Sequence, residues 1–176
     1  MKFMSIDPGT ANCGVVVWDI IFKDKKVIIN DIYSFTIVIS RDVYVETRIK
    51  ILYDTMVNII KINKPIFLVH ESGFLDRFRP MAFGPIYATI LNIRQAFRDV
   101  YKTLDDEYIF MYSPKLVKSK VSSGGADKFD MFEAVTKIKE IKPFLLGSES
   151  EHVIDALAIG YTHILNIRET PEILFL

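Results

Sequence analysis

The feature that most constrains this chain is a set of three strand-like segments with almost nothing between them. Residues 2–6 are short and apolar, 14–21 are rich in valine, and 26–39 are β-branched and aromatic with partial alternation. Polar residues 23–26 read as a hairpin turn and 7–12 as a tight link, so the three segments form an antiparallel meander. The period then changes. Val45, Ile49, Leu52, Met56, Ile59 and Ile60 recur at three- and four-residue steps, the apolar stripe of a helix that Pro65 ends. Residues 66–69 are a continuous apolar run of the kind a buried parallel strand shows. Residues 81–100 read as helix and 108–112 as strand; Ser113-Pro114 suits the N-cap and first turn of a short helix over 115–120. Residues 126–141 are predicted to form one helix that stops before Pro143. Ser148-x-x-Glu151 fits the capping box of a last helix, 151 to about 167. The order β-β-β-α-β-α-β-α-α-α predicts an α/β domain over 1–168: one mixed five-stranded sheet with helices on both faces, followed by a tail over 169–176.

Composition narrows the class. At 176 residues, half of them hydrophobic, the chain holds one domain with a sizeable core, too short for a two-domain phosphotransferase. A single cysteine, Cys13, suits a reducing compartment and offers neither a disulfide framework nor a cysteine-rich metal site. No targeting or membrane segment is expected: the most apolar late stretch, 153–167, is interrupted by Asp155 and His163. The expected setting is cytoplasmic, bacterial or, for a viral chain, the infected cell. Twenty-two basic residues balance 22 acidic ones, which argues against a general nucleic-acid coat but leaves room for a local basic groove.

Acidic residues stand at element ends. Asp7 closes the first strand and Glu71 the fourth; if those strands are neighbours, the two carboxylates converge and repel unless a cation lies between them. His152 and Asp155 are three apart and share one face of a largely apolar helix, where an unpaired charge costs several kcal/mol. Hard oxygen donors with room for water suit Mg²⁺, with Mn²⁺ able to substitute. Two such ions about 3.5–4 Å apart clamp the attacking and leaving oxygens of a phosphodiester. Taken singly, each residue also has an ordinary reading: Asp7 as a turn residue before Pro8-Gly9, Glu71 as a surface charge, Asp155 as a partner for a lysine, His152 as a helix-surface histidine. His70 alternates to the face opposite Glu71, and His163 lies about three turns beyond His152. Asp7-Pro8-Gly9-Thr10 also matches the phosphate loop of actin- and hexokinase-type ATPases, but those need a second related domain and a second such loop, which this chain lacks.

Basic character is local. Residues 113–128 hold Lys115, Lys118, Lys120 and Lys128 against Asp127 alone, and 75–98 hold Arg77, Arg79, Arg94 and Arg98 against Asp76 alone. Both stretches follow strand ends on the side of Asp7 and Glu71, where cations position phosphates. Gly124-Gly125 reads as a hinge that brings Lys128 to a phosphate. Phe74, in a loop beside Gly73, reads as an aromatic able to stack on a base.

Over residues 2–165 these motifs resemble the RuvC-like Holliday junction resolvases, of ribonuclease-H-like fold. Ser5-Ile6-Asp7-Pro8-Gly9-Thr10 with Gly14 resembles the family's first-strand motif, and Glu71-Ser72-Gly73-Phe74 its Glu-x-x-Phe motif. Residues 113–118 and then Asp127-Lys128 resemble its two lysine-bearing segments, and 152–158 its closing motif. The resemblance implies that Asp7, Glu71, His152 and Asp155 hold two metal ions and that Lys118 and Lys128 contact the scissile region, Lys128 stabilising charge in the transition state. Phe74 would stack in an opened junction, and the helix over 81–100 would pack against its twofold mate in a homodimer. The implied activity is metal-dependent endonucleolytic resolution of four-way DNA junctions. A nuclease of the same fold acting on flaps, other branched DNA or RNA hybrids, and a non-catalytic junction-binding module, remain the alternatives. His152 stands where many members carry Asp; as neutral imidazole it still binds a divalent ion, with ligation sensitive to protonation near about pH 6–7. Cleavage is therefore expected to fall on acidification and His152→Asp to lessen that fall. An unchanged pH–rate profile in the variant would remove His152 from the ligand set.

Overall fold

The computed structural model describes residues 1–23, 26–73, 80–103 and 106–175. In chain order these form β1 (Lys2–Asp7), β2 (Asn12–Lys23), β3 (Lys26–Val38), α1 (Val45–Asn63), β4 (Phe67–Glu71), α2 (Pro80–Tyr101), β5 (Ile109–Tyr112), α3 (Pro114–Val121), α4 (Lys128–Lys137) and α5 (Glu151–Glu169). Short 3-10 turns occupy Lys142–Phe144 and Pro171–Phe175. The sheet order is β3-β2-β1-β4-β5, antiparallel through the meander and parallel from β1 to β4 to β5. The predicted mixed five-stranded sheet is thus present.

Strand alternation splits the core in two. Phe3, Val16, Trp18, Phe67 and Val69 face α3, α4 and α5, against Val117, Met131, Val135 and the buried stripe of α5. Met4, Ile6, Val15, Val17 and Leu68 face α1 and α2, against Leu52, Met56, Ile60, Ile93 and Phe97. Asp7 continues the series Phe3, Ser5, and Glu71 the series Phe67, Val69, so both belong to the α5 face. His70 belongs to the other.

α5 lies unusually close to the sheet, along β1 and β2. A Cβ on Gly14 would stand 1.9 Å from the His152 carbonyl oxygen, and one on Gly160 would stand 2.2 Å from Trp18 Nε1. Between these points the Trp18 indole donates to Ser5 Oγ at 2.8 Å, and Ser5 Oγ donates to the Ala156 carbonyl at 2.7 Å. His152, Ala156 and Gly160 are one helix face at steps of about 6 Å. Gly14, Val16 and Trp18 are alternate strand residues at steps of about 7 Å. The near-match lets helix and sheet stay in register for three contacts.

Two sequence expectations fail at helix ends. The helix expected over 126–141 is shorter. Asp127 and Asp130 form a reciprocal capping box that starts α4 at Lys128, and at Ile138 the chain turns extended (ψ 112°) before Ile141 is buried. The cap of α5 is Ser150, whose Oγ accepts from the Val153 amide at 3.2 Å, not Ser148. The Glu151 carboxylate, expected to reach back to the cap, instead receives the Lys128 ammonium at 2.7 Å. The tail does not simply trail from the domain, since Ile173 packs on the core.

Gly160→Ala tests the seam. Helix propensity alone favours alanine by about 1 kcal/mol. The added methyl meets the Trp18 ring and Ser5 Oγ, and overpacking of this kind costs about 1–3 kcal/mol. Net destabilisation in urea unfolding is expected, and a variant more stable than the parent would contradict the close approach.

Candidate active site

One transverse row of the sheet positions the site. Thr36 on β3 pairs with Gly14 on β2, and Gly14 pairs with Asp7 on β1. Ile6 pairs with His70, so Glu71 lies beside Asp7 on the neighbouring strand, about 4.8 Å away in the hydrogen-bonding direction. The first turn of α5 rests on this row. Ser150 Oγ and Thr36 Oγ1 are hydrogen-bonded at 2.6 Å, the His152 carbonyl covers Gly14, and His152 Nδ1 is 2.8 Å from Asp7 Oδ2. Asp155, one turn on, lines a cleft with Glu71, Lys118 and Lys128.

The carboxylates crowd one another. Burial, then the Asp7 and Asp155 charges, push Glu71 up to about 8, with Lys118 acting the other way. Burial, then Asp7, push Asp155 up to about 6, opposed by Lys128 and His152. The hydrogen bond to Asp7 raises His152 against the opposing effect of burial. Among the described residues no three His, Cys, Asp or Glu side chains stand as a ready metal-ligand cluster, and His152 is turned toward Asp7. The donor chemistry nonetheless fits a divalent cation: hard carboxylate oxygens converge where the nearby lysines leave negative charge unrelieved.

The family model for Crossover junction endodeoxyribonuclease RuvC matches residues 3–163. The chain belongs to the RuvC family. Relatives named Crossover junction endodeoxyribonuclease RuvC include that of Fusobacterium nucleatum subsp. nucleatum, 30% identical over 93% of this chain and 80% of the relative. That of Carboxydothermus hydrogenoformans is 28% identical over 95% of this chain and 98% of the relative. In three dimensions the chain shares its fold with Thermus thermophilus RuvC in complex with Holliday junction substrate (TM-score 0.74, 18% identity, 97% of both chains covered). The RuvC family is one of metal-dependent nucleases.

The structure sorts the residues singled out in the sequence. Asp7, Glu71, His152 and Asp155 come to one end of the sheet, and Lys118 and Lys128 line the cleft of Glu71 and Asp155. Lys118 donates to the Ala126 carbonyl at 2.7 Å and Lys128 to Glu151. Lys115 is exposed. Lys120 does not point to the cleft: its ammonium lies 2.5 Å from Glu169, about 20 Å along α5 from Asp155. Arg94 and Arg98, expected to meet phosphates, are both paired with Asp106 ahead of β5. Phe74, Arg77 and Arg79 lie outside the described residues. Gly124 and Gly125 have open space around a Cβ. His163 is buried among Phe3, Phe67 and Phe110, with Nδ1 2.8 Å from the Tyr112 hydroxyl, and burial holds it down at about 3. His70 sits on the opposite face with Nδ1 donating to the Glu71 carbonyl at 2.9 Å. Sequence reasoning missed Thr36 and the place of Ser5 under α5. Ser5 was legible as the one polar residue inside an apolar strand; Thr36 carried no local signal.

The shifts fix a pH dependence for the metal-free protein. An acid whose folded value is raised holds a proton that the unfolded chain has released, so its contribution to stability falls as pH rises from its ordinary value to its folded one. For Glu71 that interval is 4.5 to about 8. The raised His152 acts in the same direction, while buried His70 and His163, both lowered, act oppositely below their ordinary 6.5. The clean window is therefore about pH 6.5 to 8. There the melting temperature in chelator is expected to decline, with Glu71→Gln removing most of the decline. A parental slope in that variant would contradict the crowding of Glu71.

Proposed function

We propose that this chain is a metal-dependent endodeoxyribonuclease that resolves four-way DNA junctions by hydrolysing phosphodiesters on symmetric strands. The observation that carries the reading is the convergence of Asp7, Glu71 and Asp155 on the α5 face of one sheet end, with Lys118 and Lys128 on the cleft that Glu71 and Asp155 share. Asp7, between its neighbours, would help hold the ions. Glu71 and Asp155 would complete their shells, joined by His152 once its ring turns from Asp7. Mg²⁺ is the fitting ion and Mn²⁺ a substitute, since hard oxygen donors and an imidazole suit either. When bound, such ions activate the attacking water and stabilise charge on the phosphate oxygens. The protein's own part is to hold the carboxylates in register and to place Lys128 where phosphate charge develops.

A homodimer fits the requirement for two cuts, because a twofold axis presents two sites to opposite strands. Tyr87 and Leu91 are exposed four apart on α2, an apolar stripe suited to a second copy. No described helix is long and apolar enough to cross a membrane. With bacterial relatives, the fitting setting is the cytoplasm, or the infected cell for a viral chain.

Asp7→Asn keeps the shape of the side chain and removes its charge. Cleavage of a synthetic four-way junction in Mg²⁺ is expected to fall by more than about 100-fold, the upper range for losing even an outer-shell partner, while junction binding in gel shift persists. Flap and RNA-hybrid substrates run in parallel define breadth. Junction cleavage at the parental rate in the variant would overturn the assignment, and so would a parent that binds but never cuts.

A further inference from the structure

α4 carries more apolar surface than its packing uses. Met131 and Val135 are buried and turn its inner face to the core. On the outer side Phe129 is 68% exposed and Phe132 41% exposed, three apart and therefore neighbours on the helix surface. Neither ring belongs to the buried core. Together with Ile154 of α5 they wall a cleft of about 250 Å³ whose remaining lining is Lys128, Glu151 and Asp155. This cleft shares Lys128 and Asp155 with the acidic cleft that holds Glu71, so the two adjoin. Its volume falls below the roughly 300–1,000 Å³ of pockets that enclose whole small molecules. It suits one planar group entering from outside.

The occupant follows from what lies next door. Whatever phosphodiester reaches Asp155 and Lys128 brings a nucleotide on each side of the phosphate, within one nucleotide's length of the phenylalanines. Aromatic rings stack on any base, and a cation beside them holds the attached phosphate. We propose that Phe129 and Phe132 form a nucleobase-stacking subsite for a nucleotide flanking the scissile phosphate, with Lys128 gripping the backbone beside it. The inference rests on the nuclease reading and deepens it, adding contacts that hold the cut strand against the acidic site.

The test uses the whole chain and a synthetic four-way junction carrying 5-iododeoxyuridine one nucleotide to either side of the mapped cut. In the Asp7→Asn background, which keeps the junction uncut, irradiation is expected to crosslink the base to Phe129 or Phe132. In an otherwise parental chain, Phe129→Ala/Phe132→Ala is expected to slow single-turnover cleavage about 5- to 100-fold, the range that loss of one stacked base gives. Phe129→Tyr/Phe132→Tyr, which keeps both rings, should cleave at the parental rate. Both side chains are exposed, so the melting temperature should hold and separate this loss from misfolding. Cleavage at the parental rate in the alanine variant, or crosslinks that map elsewhere, would overturn the subsite while leaving the nuclease reading intact. A parent that cuts no junction at all would overturn that reading and the subsite with it.

Discussion

The structure depends on a helix lying against a sheet at a distance that only small residues permit. Gly14 and Gly160 clear the two ends of the seam, and the Trp18–Ser5–Ala156 hydrogen bonds satisfy the polar groups trapped in its middle. Because the contact repeats every four helix residues and every two strand residues, sliding α5 by one residue breaks all three contacts at once. The position of His152 over Gly14 and beside Asp7 is therefore set by packing two turns away, at Gly160, as much as by the hydrogen bond itself. A site built this way is held by rigid elements, which catalysis on a fixed phosphate requires.

What the seam brings together resists being together. Glu71 and Asp155 are both displaced upward by burial and by Asp7, so holding them ionised in the folded chain opposes stability. Lys118 and Lys128 relieve only part of this. The rest of the molecule offsets it with two apolar layers, one on each sheet face, running through Trp18 and Phe3 on one side and Met4, Ile6 and Met56 on the other. Concentrating unfavourable charge at one sheet end, away from those layers, is what leaves a strong electrostatic demand for cations at a single place.

Much of this was legible because it is periodic or local. Asp7 and Glu71 close two apolar strands and converge if those strands are neighbours, as β1 and β4 are, and Ser113-Pro114 marks the start of α3, where Ser113 Oγ accepts from the Leu116 amide. The failures have one cause. Choice of ionic partner is tertiary: Asp106 claims Arg94 and Arg98 and Glu169 claims Lys120, and nothing in the spacing of those charges announces it. Local charge density thus overstated the basic groove, assigning to phosphate three side chains that the fold spends elsewhere. The helix-end errors are of the same kind, since Asp127 and Ser150 outcompete neighbours equally able to cap.

Not all of those ion pairs withhold their cations equally. Arg94 and Arg98 share Asp106 with side chains only 22% and 21% exposed, and Lys120 is 26% exposed against Glu169. Lys128 and Glu151 are 76% and 54% exposed, and a pair so open to solvent contributes about 0.2–1 kcal/mol. A phosphate diester at the cleft would carry the same charge as Glu151 and would meet Lys128 without displacing any buried contact. Exchanging one partner for the other would then be close to balanced for the lysine itself. Of these paired cations the most exposed is thus the one that lines both the acidic cleft and the phenylalanine cleft.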